Sequence, residues 1–161
     1  MKNIIALIFS CFILNSVFAQ LPANVTIKDM NGKSVDISKL NNSGKPMIIA
    51  FWATWCGPCK LELNTIAKDY QDLVKKTGVK LYAVSTDDVR STGRVAPYVK
   101  EQGWDYEVLL DANGTFMKAM KANNVPHTFL LDGKGKIVWD HNNYIIGDEK
   151  ELYSELMKLS K

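Results

Sequence analysis

The chain has 161 residues, 47% of them hydrophobic and 23% charged, which fits one globular domain with a real core. Its formal net charge of +3 comes from lysines scattered along the sequence, so it lacks the concentrated positive patch of a nucleic-acid binder. The pair Lys75-Lys76 reads as a solvated helix face.

In chain order, the first segment is MKNIIALIFSCFILNSVFAQ. One positive residue, Lys2, precedes a mostly apolar run over 4–18, and Val17-Phe18-Ala19 places small residues where a signal peptidase reads them. A secretory signal over 1–19, cut after Ala19, is expected, with an uncleaved membrane anchor as the alternative. Ser10, Asn15 and Ser16 interrupt the run, which falls short of the roughly 18 to 20 apolar residues that span a bilayer. Cys11 lies inside this segment, so the mature chain keeps Cys56 and Cys59. Lys2 is the only charged residue of 1–19, so its removal lowers the net charge from +3 to +2.

Residues 25–27 and 34–37 flank Asn31-Gly32, a strong tight-turn signal, and predict an N-terminal β-hairpin. A polar loop over 41–45 follows. The run over 46–52 (PMIIAFW) is apolar and rich in β-formers, the pattern of a strand buried on both faces. Leu63, Ile66, Ala67, Tyr70, Leu73 and Val74 then recur at three- and four-residue spacing and predict an amphipathic helix ending at Thr77-Gly78. A second buried strand is expected over 79–85, and a helix over 94–102 with Pro97 in its first turn and Gly103 as its stop. Trp104 and Tyr106 precede Glu107-Val108-Leu109 in a short strand or loop. They are candidates for a partner groove or, as is commoner for aromatics, for the core. A short helix over 115–121, strands over 127–131 and 136–140 joined at 132–135, and an apolar-striped helix through Leu152, Tyr153, Leu156, Met157 and Leu159 complete an α/β domain over 20–161 with a mixed sheet.

Between the first buried strand and the long helix lies FWATWCGPCKLEL, residues 51–63. Export places its two cysteines where disulfides persist. A loop this tight constrains little of the unfolded chain, so the pair reads as reactive rather than structural. Cys56 falls at a helix N-terminus, where unpaired N–H groups and the helix dipole favour the thiolate and lower its pKa below about 8.5. Cys59 falls nearly one turn later, less exposed and more protonated. Cys56 therefore attacks and Cys59 resolves, while Pro58 suits the first turn and stiffens the loop with Gly57.

Other uses of such a pair fit less well. Haem attachment needs a His directly after the second cysteine, and that residue is Lys60. A zinc site needs a second ligand pair, and the two histidines, His127 and His141, are wrongly spaced for one. Copper delivery lacks accompanying histidine or methionine ligands at telling spacing. No metal or cofactor is expected.

The motif WATWCGPC on a strand-to-helix turn, with Val125-Pro126 immediately before a strand, resembles the thioredoxin superfamily. The N-terminal VTIKDMNGKSVDISKL, the acid in CKLE and the signal segment narrow the resemblance to the exported TlpA/ResA-like, AhpC/TSA-related thiol-disulfide oxidoreductases. The resemblance implies a thioredoxin-like fold, a central mixed sheet flanked by helices with a hairpin extension. It also implies that Cys56 is the nucleophile, that Cys59 resolves, that Trp55 packs beside them, and that Pro126 is cis. The backbone of Val125 would then meet an extended substrate strand.

One departure concerns an acid. Thioredoxin carries a buried aspartate at the position of Ala50, so another group must take the proton of the resolving thiol. Glu62, three residues after Cys59 and on the same side of the helix, is the candidate base; a solvent-exposed acid favoured by the helix dipole is the alternative. His127 reads as a β-edge histidine or as an electrostatic neighbour of the cysteines, and His141 lacks supporting context.

Gly-Pro between the thiols is the dipeptide of reducing thioredoxins, with potentials near about −270 mV, rather than of oxidants near about −120 mV. The expected activity is reduction of disulfides in exported proteins, with a part in cytochrome c maturation implied by the resemblance. The expected partners are disulfide-containing protein substrates and a membrane electron donor, with no nucleic acid, and the expected state is a monomer. Two rivals stand beside it. A peroxiredoxin-like peroxidase would want a threonine at position 53, which is Ala, and an arginine partner, for which Arg90 and Arg94 are unplaced. A binding module or metallochaperone would bind without turnover.

Overall fold

A computed structural model describes residues 20–160; the expected signal segment lies outside them. A hairpin opens the fold, β1 (Thr26–Asp29) and β2 (Ser34–Asp36), paired antiparallel with Ile27 opposite Val35. Asp29 Oδ1 closes the turn by accepting from the Asn31 and Lys33 backbone N–H groups, both at 2.8 Å. The central strand β3 (Met47–Trp52) is buried at every position, as its unbroken apolar run predicts.

Helix α1 (Gly57–Thr77) runs out of the cysteine motif and stops at Gly78, whose φ of 68° is the left-handed cap conformation that glycine adopts without strain. Then come β4 (Lys80–Ser85), α2 (Val95–Gln102), β5 (Glu107–Leu110), α3 (Thr115–Ala119), β6 (His127–Leu131), β7 (Ile137–Asn142) and α4 (Glu149–Lys158). A 3-10 turn over Thr92–Arg94 precedes α2, so the helix proper begins one residue later than its sequence pattern indicates. α3 ends two residues early, because Lys121 takes a positive φ of 60°. β7 is shifted towards the C-terminus, to Asn142, by the pairing of His127 with that residue.

The seven strands form one sheet in the order β2-β1-β5-β4-β3-β6-β7. β3, β4 and β5 run parallel to their neighbours in that trio, while β6, β7 and the hairpin are antiparallel. The hairpin thus extends the sheet through β5, and Lys28 faces Leu110. Two cores cover the faces. One gathers Ile48, Ala50 and Trp52 of β3 with Leu63 and Ile66 of α1 and Leu152 and Leu156 of α4. The other gathers Ile49 and Phe51 with Phe116 of α3 and Phe129 of β6. Trp104 and Tyr106 belong to the first core, each 7% exposed, so they line no groove.

Candidate active site

The turn between β3 and α1 is held from below. The buried Asp87 accepts from the Thr54 backbone N–H (2.8 Å), the Thr54 hydroxyl (2.5 Å) and the Ser85 hydroxyl (2.9 Å). This anchor fixes the loop that delivers Cys56. Cys56 is the N-cap residue of α1, and its Sγ accepts from the Cys59 backbone N–H at 3.2 Å. That hydrogen bond and the first-turn dipole both favour negative charge on this sulfur once the pair is reduced.

Cys56 and Cys59 are joined in a disulfide. Cys56 keeps 5% of its surface and Cys59 none, so of the two residues only the first reaches the surface. Gly57 and Pro58 are exposed beside it. Trp55, next in sequence to Cys56, leaves 66% of its surface in solvent. The Val125–Pro126 peptide is cis, and the Pro126 carbonyl accepts from the Asn143 backbone N–H at 2.8 Å, which ties the loop after β7 to it.

Glu62 is buried on the same side of α1 as Cys59, at 6% exposure, which excludes the solvent-exposed alternative. Its Oε1 accepts from the Thr128 hydroxyl at 2.6 Å, and Thr128 is the register partner of Ala50. The carboxyl therefore lies over the point on β3 where the side chain is only a methyl. Burial raises its pKa to about 7, with a further push from the nearby Asp148 charge, against the lowering effect of the Thr128 hydrogen bond. A group poised there can take or release a proton at neutral pH.

The other singled-out side chains separate from this cluster. His127 is no edge histidine, since β7 pairs outside β6. It stands opposite Phe51, stacks on Phe129 with centroids 4.3 Å apart, and bonds Asp140 at 2.9 Å. Those neighbours lie on the sheet face away from α1. His141, in contrast, gains a context: Asp148 at 3.1 Å and a parallel Trp139 ring. Arg90 is exposed beside Asp88, at 3.7 Å. Asp87, Thr128 and Asp148 carried no motif signal, because each acts through contacts made across the fold. Among the described residues no cluster of three or more His, Cys, Asp or Glu side chains could hold a metal ion, and no helix is long and apolar enough to cross a membrane.

A parallel core with antiparallel flanks, a disulfide-bonded cysteine pair at the start of the helix after the central strand and a cis-proline before the neighbouring strand together define a thioredoxin-like protein. Solved structures agree. A thioredoxin-like protein from Porphyromonas gingivalis is 48% identical, with a TM-score of 0.79 over 89% of this chain and 93% of its own. StoA from Bacillus subtilis is 28% identical, with a TM-score of 0.63 over 84% of this chain and 99% of its own. The chain belongs to the AhpC/TSA family, whose model matches residues 19–140. It is also 34% identical over 115 residues to the thiol-disulfide oxidoreductase ResA of Bacillus subtilis, a match that takes in 71% of this chain and spans 62% of that relative's length.

Proposed function

We propose that the chain is a thiol-disulfide oxidoreductase that reduces disulfides of exported proteins. The observation that carries this reading is the pairing of an N-cap cysteine, Cys56, which keeps a small part of its surface, with a fully buried partner, Cys59, one turn from a buried carboxyl. The similarity to named oxidoreductases, ResA among them, supports it.

In the reduced protein the Cys56 thiolate attacks one sulfur of a substrate disulfide. A mixed disulfide forms, and the substrate's other sulfur leaves as a thiolate. The Cys59 thiol then gives its proton to Glu62, and its thiolate attacks Cys56 Sγ. The second substrate sulfur departs, and the Cys56–Cys59 disulfide closes. Two electrons pass from the dithiol to the substrate, and the proton held by Glu62 leaves for solvent or the departing thiolate. Trp55, Gly57 and Pro58 border the substrate on one side, and the Val125 backbone pairs with its extended strand on the other.

The signal-like N-terminus favours an extracytoplasmic, periplasmic setting, where a membrane electron donor recharges a monomeric enzyme; a role in cytochrome c maturation follows the ResA likeness. The test is capture with Cys59→Ala, which stalls exchange at the mixed disulfide. Covalent partners held through Cys56, absent from the Cys56→Ser, Cys59→Ala double variant, are the expected result. Recovery of none, with no reduction of insulin disulfides by the native dithiol, would overturn the reading.

A further inference from the structure

The exchange steps use Glu62 but leave unexplained the polar groups that close over it. Thr128, the donor to Glu62, stands in register with His141 of β7, and register partners on neighbouring strands present their side chains on one face of the sheet. His141 Nε2 lies 3.1 Å from Asp148 Oδ2. Asp148 occupies the N-cap position of α4, and the same oxygen accepts from the Ile145 backbone N–H at 2.9 Å. The Trp139 indole stacks on the imidazole, with planes 7° apart, and fixes its orientation. The two side chains are 32% and 27% exposed, against 6% for the Glu62 residue, so the pair meets water more than the buried carboxyl does.

We propose that His141 and Asp148 form a positioning pair whose net charge decides when Glu62 gives up its proton, a role that rests on reading Glu62 as the base. With a neutral imidazole, Asp148 presents an uncompensated negative charge towards Glu62, and two like charges in a poorly solvated site oppose each other's ionisation. With an imidazolium the pair is neutral overall, and that opposition falls. Other titratable groups that feel Glu62 are Tyr106 ahead of β5 and Tyr144 in the loop after β7, which donates to Glu149 at 2.7 Å with Lys150 next in sequence, while Cys59 on its own helix is held in the disulfide. Burial raises both phenols, which stay neutral while Glu62 titrates. The His–Asp pair, bonded at 3.1 Å, is thus the charged neighbour of Glu62 in the cluster. It also couples the resolving thiol to the loop that Asn143 ties to Pro126.

The test is a carbon-13 NMR titration of the oxidised full chain labelled at glutamate side chains, with the Glu62 signal assigned by its loss in Glu62→Gln. Asp148→Asn keeps the shape and the acceptor for Ile145 while removing the charge, and it lowers the Glu62 midpoint by roughly half a pH unit or more. His141→Gln removes the group that can compensate the Asp148 charge and raises the midpoint by a similar margin. A general loosening of the site would hydrate Glu62 and lower it in both variants. Shifts of opposite sign support the proposal; shifts of the same sign, or no movement in either variant, overturn it. The titration reads no exchange rate, so its outcome is independent of whether Glu62 is the base.

Discussion

Two adjacent residues of β6 meet opposite faces of the sheet. Thr128 faces α1, holds Glu62 at 2.6 Å and neighbours the His141–Asp148 pair. His127 faces the other core, against Phe129 and Asp140. Both faces carry a histidine bonded to an aspartate, yet only one of the faces also holds the cysteines and Glu62. Position beside the cis-proline does not decide which side chain meets the cysteine helix; the strand's two-residue alternation does, by sending Thr128 toward α1 and His127 away from it.

The largest test of this contrast is Glu62→Gln. The folded-state pKa of Glu62 is raised from 4.5 to about 7, so between those values the folded protein binds more protons than the unfolded one, and native stability falls as pH rises through the window. The variant escapes that loss, and by pH 8 it should be more stable than the native protein by roughly 3 kcal/mol, with little difference below pH 4. Urea unfolding at the two pH values reads this; equal stability offsets at both would break the contrast. Next, Thr128→Val removes the donor and leaves the buried carboxyl short of a partner, at a cost of about 1–3 kcal/mol that grows above pH 7, together with an upward shift of the Glu62 titration. On the opposite face, His127→Asn should cost about 1 kcal/mol through lost stacking and leave the pH profile of disulfide exchange unmoved; a moved profile would place His127 in the site. Smallest in stability is Trp55→Ala, within about 0.5 kcal/mol because the indole is exposed. In steady-state assays it should raise KM for protein disulfides with little change in kcat.

Much of the scaffold was legible because its signals are local. The apolar run over 46–52, the three- and four-residue spacing along 63–74 and Gly78 mark β3 and α1 within a residue or two, and the asymmetry of the two thiols follows from where that helix starts. The site around them was only half legible. An acid three residues after Cys59 reads equally as exposed or buried, and the methyl of Ala50 together with the hydroxyl of Thr128 settles the matter only once β3 and β6 are paired. In β6 every residue is buried, so no alternation of polarity reveals which way His127 and Thr128 point. His141 and Asp148 come together because the loop after β7 turns back, pinned by Asn143 to Pro126, a contact with no sequence pattern. Trp104 and Tyr106 were ambiguous for the same reason; the Tyr106 hydroxyl reaches the Leu63 carbonyl across the core.

Transfer of the Cys59 proton to Glu62 during resolution is read by following the collapse of a pre-formed mixed disulfide at Cys56 as a function of pH, in the native protein and in Glu62→Gln. The rate in the native protein should rise through an inflection near the Glu62 value of about 7, and the variant should be slower and lose that inflection, keeping only the later rise of an unassisted thiol. An inflection of the same position and size in Glu62→Gln would contradict the account.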